Sequence, residues 1–200
     1  MQVLRQTAHA RQLRIIGGTW RGRRFRFPPS PQIRPTPDRV RETLFNWLGG
    51  RVSAARCLDL FAGSGALGLE ALSRGAAQVC FVERDGAAAR ELGLRLTEWA
   101  AVGARVEQVD ALQFLRGPAQ LFDIVFLDPP FAADLLRAAA ELLERQQWLA
   151  PGALLYVECA ARDGLPPLPP SWATVKAKQA GEVGYHLLAR GGIEKGVAAE

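Results

Sequence analysis

Four consecutive residues, Asp128-Pro129-Pro130-Phe131, combine a carboxylate, two residues without amide donors and an aromatic ring. They follow the apolar run Phe122–Leu127, whose core Ile124–Leu127 reads as a buried strand, so they stand where ligands of open α/β sheets bind. The two prolines fix the backbone and remove its donors, leaving carbonyl oxygens and the Asp128 carboxylate as a rigid arc of acceptors. Such an arc suits an amino group, which donates two hydrogens. With Asp128 and the Pro129 carbonyl accepting them, the nitrogen lone pair turns out of conjugation, and Phe131 is placed to stack on an attached ring.

A second constellation lies two strand–helix units earlier. Asp59-Leu60-Phe61-Ala62-Gly63-Ser64-Gly65-Ala66-Leu67-Gly68 runs from a strand into a helix, with glycines where the backbone must turn and approach a ligand closely. Its G-x-G-x-x-G spacing fits a dinucleotide site as well as an S-adenosylmethionine site. Glu83, ending the next strand, suits a ribose diol in either case. Asp59 tilts the balance, because an anion ahead of the loop repels pyrophosphate yet can position the ammonium of a methionine moiety. Asp110, with Ala111 beside it, suits an adenine amino group. Asp59 and Asp110 can equally be helix caps. With a sulfonium supplying the leaving group, alignment of the amine is most of the catalysis. A base amine inside a duplex is inaccessible, so the base must be unpaired or flipped out.

The elements that must position these residues alternate regularly. Strand patterns at Cys57–Phe61, Gln78–Val82, Arg105–Val109, Ile124–Leu127 and Ala153–Glu158 are separated by helical patterns, including Ala87–Ala101 and Leu135–Gln147. Short apolar strands between helices imply a parallel sheet covered on both faces. After the loop Asp163–Ser171, Ala173–Gln179 and Val183–Ala189 form a closing antiparallel hairpin. The expected fold is α/β and Rossmann-like, with a seven-stranded, mostly parallel sheet and one reversed strand near its C-terminal edge.

Ahead of this body, Leu13–Phe27 reads as a hairpin with Trp20, Arg21 and Arg23 at its tip and Arg24 and Arg26 on a basic face. A proline-rich linker, Pro28–Pro37, leads to a helix capped by Thr36, with Val40, Leu44, Trp47 and Leu48 on one face and Gly49-Gly50 as its stop. The division expected is a basic extension over 1–50, a catalytic domain over 51–191 and a frayed tail over 192–200.

Charge supports the division. The net charge is +5, yet residues 1–56 carry twelve Lys/Arg against Asp38 and Glu42, while residues 57–200 carry thirteen against eighteen acids. A basic leader on an acidic body suits a protein that grips a phosphate backbone with one part and does chemistry with the other. With 48% apolar and 22% charged residues the chain can bury one substantial core. It lacks a run of the ~20 apolar residues needed to span a bilayer, and its arginine-bearing start lacks a secretory signal's apolar segment, so a cytoplasmic protein is expected. Cys57, Cys80 and Cys159 are widely spaced in apolar strands and read as buried thiols. His9 and His186 have no metal-ligand spacing, so no metal is expected.

Taken together, these residues resemble the bacterial 16S ribosomal RNA guanine-N2 methyltransferases. The resemblance covers nearly all of residues 13–190 and rests on Arg14–Arg23, on Arg34–Leu48, on Asp59–Gly65 and on Asp128–Phe131. The glycine loop and the Asp-Pro-Pro-aromatic motif are shared by many amino-methyltransferases; the N-terminal motifs are narrower. The resemblance implies a class I S-adenosylmethionine-dependent fold, a guanine 2-amino group as acceptor, and an assembled or assembling small ribosomal subunit as substrate, acted on by a monomer. It assigns Asp128, Pro129, Pro130 and Phe131 to the acceptor, and Asp59, Phe61, Ala62, Gly63, Ser64, Gly65, Glu83, Arg84, Asp110 and Ala111 to the methyl donor. Arg21, Arg23, Arg24, Arg34, Arg39 and Arg41 are implied to contact RNA. One departure is Arg84-Asp85-Gly86-Ala87, where bulkier residues around the adenine are expected. Rival readings are a DNA adenine-N6 methyltransferase, which normally needs a recognition insertion for which there is no room, a nicotinamide-dependent oxidoreductase, which leaves Asp128–Phe131 unexplained, and an RNA-binding module on a degenerate core.

Overall fold

The structure, a computed structural model, describes residues 11–27, 36–130 and 133–191. Strands β1 (Arg11–Arg14) and β2 (Arg24–Phe27) pair antiparallel, and helix α1 (Asp38–Leu48) follows. The body then runs β3 (Arg56–Asp59), α2 (Ala66–Ser73), β4 (Gln78–Val82), α3 (Gly86–Glu98), β5 (Ala104–Glu107), α4 (Ala111–Leu115), β6 (Phe122–Leu127), α5 (Ala133–Arg145), β7 (Leu149–Ala160), β8 (Trp172–Ala180) and β9 (Val183–Arg190).

Seven strands form one sheet in the order β5-β4-β3-β6-β7-β9-β8. Strands β3 to β7 are parallel to their neighbours, whereas β9 runs antiparallel to both β7 and β8. The single reversed strand therefore lies one place in from the edge, as expected. Chain order reverses between β3 and β6, so the crevice for a ligand opens at the C-terminal ends of these two strands.

Alternation of side chains across the strands divides the core into two layers. Cys57, Val79, Phe81, Ile124 and Phe126 pack against α1, α2 and α3, while Leu58, Cys80, Val125 and Leu127 pack against α4 and α5. All three cysteines are buried thiols. Helix α3 ends at Glu98 rather than Ala101 because Ala100 adopts a left-handed φ of 49°.

The N-terminal hairpin is packed into the first layer through Leu13, Ile15, Phe25 and Phe27. Trp99, following α3, makes edge-on ring contacts with Trp20 and Phe25 at 5.2 and 5.8 Å. A fully buried carboxylate on α2 pins the hairpin in place: Glu70 accepts from the backbone amides of Ile16 and Gly17, at 2.8 Å each, and pairs with Arg74 and Arg41. Gly18 is required beside it, with a φ of 77° and only 1.8 Å between an added Cβ and the Ser73 carbonyl oxygen.

Helix α1 buries Val40, Leu44, Phe45 and Leu48, and Trp47 stacks on Tyr185 at 5.4 Å. Thr36 does not cap it. Pro37 occupies the cap position without a side-chain hydrogen bond, and Thr36 is buried with its hydroxyl aimed at Asp128. Among the described residues, no helix is long and apolar enough to cross a membrane.

Candidate active site

A cavity of about 620 Å³ opens at the crevice between β3 and β6. Asp59 ends β3, Glu83 follows β4, Asp110 follows β5 and Asp128 follows β6, so four strand ends each deliver one carboxylate to it. Asp85 and Glu158 complete six acids, and Arg84 is the one cationic residue among the described lining residues. So many anions around one cavity disfavour a pyrophosphate and favour a cation. No group of three or more His, Cys, Asp or Glu able to hold a metal ion occurs among the described residues.

The loop between β3 and α2 forms one wall through Phe61, Ala62, Gly63 and Ser64. Gly63 and Gly65 have φ values of 51° and 77°, and Gly65 is the residue preceding α2. Gly65 lies behind the wall, where an added Cβ would stand 2.6 Å from Leu92. Asp59 is buried and accepts the Gly68 amide at 3.0 Å, tying the strand end to the first turn of α2. Burial raises its carboxyl to about 7; the Gly68 amide opposes this and Glu83 adds to it.

Glu83 accepts from the amides of Gly63 and Asp85, each at 2.7 Å, and so braces the glycine loop against the end of β4. Asp110 accepts from the amides of Leu112 and Gln113 at the start of α4. The cap geometry and the place in the cavity wall thus coexist at Asp110, because one carboxylate oxygen serves both amides. Ala111, buried behind it, and exposed Arg84 also border the cavity.

Asp128, Pro129 and Pro130 form the opposite wall. Asp128 is partly buried in that wall. Burial, then the carboxylates of Glu158 and Asp59, hold its carboxyl well above the usual carboxylate range, while the Thr36 hydroxyl pulls it down. A profile of the family described as conserved hypothetical protein 95 matches residues 13–189. Ribosomal RNA small subunit methyltransferase D of Escherichia coli K12 is 51% identical over 90% of each chain. The chain belongs to the ribosomal RNA small subunit methyltransferase D family. Its Haemophilus influenzae counterpart is 45% identical, over 91% of this chain and 96% of that one. A solved Escherichia coli methyltransferase, 49% identical, superposes with a TM-score of 0.85 over 90% of this chain and 98% of that one.

As a methyltransferase D family member, the chain is an enzyme with a Rossmann-like methyltransferase fold, and it needs a methyl donor. Of the arginines expected to meet RNA, Arg21, Arg23, Arg24 and Arg39 are exposed. Arg41 is not. It is completely buried, and its guanidinium is committed to Asp38 at 2.6 Å, the Arg14 carbonyl at 2.8 Å and Glu70 at 3.5 Å, so it builds the fold instead of meeting a nucleic acid. Arg34 and Phe131 lie outside the described residues.

Three residues escaped the sequence reading of this methyltransferase. Thr36 was hidden by its likeness to a helix cap. Glu70 sits in an apolar helix with one local partner, Arg74 at i,i+4, while its bonds to Ile16, Gly17 and Arg41 come only with tertiary packing. Glu158 carried a usable signal, since an acid closing an apolar strand is the same pattern that marked Glu83.

Proposed function

We propose that the protein transfers the methyl group of S-adenosylmethionine to the exocyclic N2 amino group of a guanine in small-subunit ribosomal RNA. The observation that carries this reading is the abutment of a donor-free acceptor arc, Asp128-Pro129, against a six-carboxylate cavity behind a glycine loop. The cavity fits the methyl donor: its acids complement an ammonium and a sulfonium, and the left-handed Gly63 in its wall lets backbone approach a ligand closely, while Gly65 behind it makes the turn into α2. When bound, S-adenosylmethionine supplies an electrophilic methyl whose transfer leaves a neutral thioether.

The chain's own residues do the rest. Glu83 accepts from a ribose diol in addition to the amides it already holds, and Asp110 faces the adenine. Asp59 offsets the donor's positive charge. Asp128 and the Pro129 carbonyl accept the two hydrogens of the base amine, turning its lone pair toward the methyl, and the Asp128 carboxylate receives the proton released as the N–C bond forms. Phe131 stacks on the base. This is catalysis by alignment in a site already polarised for the charges involved.

The name carried by the relatives supports ribosomal RNA as substrate, and the exposed Arg21, Arg23, Arg24 and Arg39 give the N-terminal extension cations suited to phosphates. The substrate in this reading is an assembling or assembled 30S particle, methylated by a metal-free monomer in the cytoplasm. Labelled S-adenosylmethionine offered with small subunits, naked 16S RNA and duplex DNA in parallel tests it. Label goes to the small subunits as N2-methylguanosine; label in DNA adenine overturns it.

A further inference from the structure

Strands β6 and β7 are parallel and pair Leu127 with Val157, so the next residues stand beside each other at the C-terminal end of β6: Asp128 just beyond that strand, and Glu158 still inside β7, where it pairs with Tyr185 of β9. Both line the cavity described above. Glu158, only 7% exposed, also lines a neighbouring cavity of about 500 Å³, and so does Pro129. The wall between the two spaces therefore contains Glu158 and the residue whose carbonyl takes one hydrogen of the amine. Each carboxyl is anchored on one oxygen by a hydroxyl: Thr36 donates to Oδ2 of Asp128 at 3.5 Å, and Tyr156 donates to Oε1 of Glu158 at 2.7 Å.

The chemistry of the bases makes a second carboxylate at this place informative. In guanine the 2-amino group is flanked by N1–H, a donor. In adenine and cytosine the ring nitrogen next to the amine is an acceptor. A site that holds the amine with Asp128 and Pro129 and sets another acceptor beside them pairs with guanine alone, and turns a carboxylate against a lone pair in the other two.

We infer that Glu158 selects guanine by accepting its N1–H. The inference rests on the N2-guanine reading above and adds to it the residue that rejects other amino-bearing bases. A buried polar group left unpaired, or facing a like partner, is what gives large discrimination between similar substrates. Carboxylate side chains are chemically suited to this task, accepting base-edge donors and donating nothing.

The test uses small subunits reconstituted with 16S RNA carrying either guanosine or 2,6-diaminopurine riboside at the position the wild-type enzyme methylates. Both bases present a 2-amino group, but N1 is a donor in guanine and an acceptor in diaminopurine. Wild-type kcat/KM is expected to favour guanine by about 100-fold or more. Glu158→Gln, whose amide can donate to N1, is expected to lose about 100-fold on guanine and to move the ratio toward diaminopurine by a similar factor; a change in S-adenosylmethionine affinity would affect both bases alike and leave that ratio untouched. Equal loss on both bases, or an unchanged ratio, overturns the proposal. Glu158→Asp keeps a carboxylate and keeps the guanine preference, and it carries the ratio test should Glu158→Gln not fold. Failure of the wild type to methylate guanine N2 at all is a different result and defeats the underlying function instead.

Discussion

The Thr36 hydroxyl donates to Oδ2 of Asp128 at 3.5 Å, although 92 positions separate the two residues in the chain. The contact brings the start of α1 into the wall of the cavity, so the N-terminal extension takes part in the site as well as lying beside it. The bond stabilises the charged form of Asp128 and lowers its pKa. Activity that requires the carboxylate is lost as pH falls through that pKa. Thr36→Val removes the donor, so the acid limb of the kcat/KM profile moves to higher pH, and activity at neutral pH falls about fivefold for a bond worth ~1 kcal/mol. Thr36→Ser restores both. A profile identical to wild type in Thr36→Val refutes the role.

Asp59 links pH to stability. Its folded carboxyl lies at about 7, above an unfolded value of about 3.9, so the folded state binds this proton more tightly. That contribution is fully present below pH ~4 and is lost as pH rises through ~7, on the order of a few kcal/mol in all. In the ligand-free protein, the unfolding free energy of Asp59→Asn is therefore expected to lose much of this decline between pH 5.5 and 8. Chemical denaturation across that range reads the difference, and parallel pH dependences for the two proteins contradict it.

Glu70 and Arg41 depend on each other. Both side chains are fully buried, and Glu70 also holds the amides of Ile16 and Gly17. Removing one partner of a buried pair costs about 3–5 kcal/mol. Glu70→Ala is expected to lower the melting temperature by roughly 10 °C and to make the hairpin at residues 11–27 the first site of proteolysis. A melting temperature within 2 °C of wild type, where a surface substitution would leave it, argues that the hairpin is held in place some other way.

Arg21, Arg23 and Arg24 make the opposite prediction. They are exposed, and the one packing contact they make among the described residues is Arg23 over the Trp99 ring at 5.4 Å, so the triple replacement by Gln lowers the melting temperature by only a few degrees. Binding to small subunits weakens, and the slope of log K against log salt becomes shallower by about 0.7–0.9 for each phosphate that the variant no longer neutralises. An unaltered slope removes these three residues from the RNA-binding face.

Much of the fold was legible because both layers of the core need continuous apolar strands, and Phe122–Leu127 or Gln78–Val82 can hardly be anything else between helices. The cavity acids were legible for a related reason: a charged residue ending an apolar strand lies at the sheet edge where ligands bind. Arg41 and Arg39 show where that legibility stops. Two residues apart in one helix, both looked like surface cations, and only packing against α2 decides that Arg41 turns inward to Glu70 while Arg39 faces solvent. Thr36 likewise had a plausible local partner in the helix it precedes, and a distant carboxylate took its hydroxyl instead. Side-chain partners separated by dozens of residues follow from tertiary packing, which local pattern does not encode.

The central claim is that Asp128 aligns a guanine 2-amino group for methyl transfer, and nucleoside analysis of small-subunit RNA tests it most directly. Small subunits lacking the modification are incubated with S-adenosylmethionine and either the wild-type enzyme or Asp128→Ala, then digested and resolved by mass spectrometry, with cofactor affinity measured alongside. The account predicts N2-methylguanosine with the wild type and a loss of at least about 100-fold in the variant at saturating cofactor. A different methylated nucleoside, or undiminished transfer by Asp128→Ala, contradicts it.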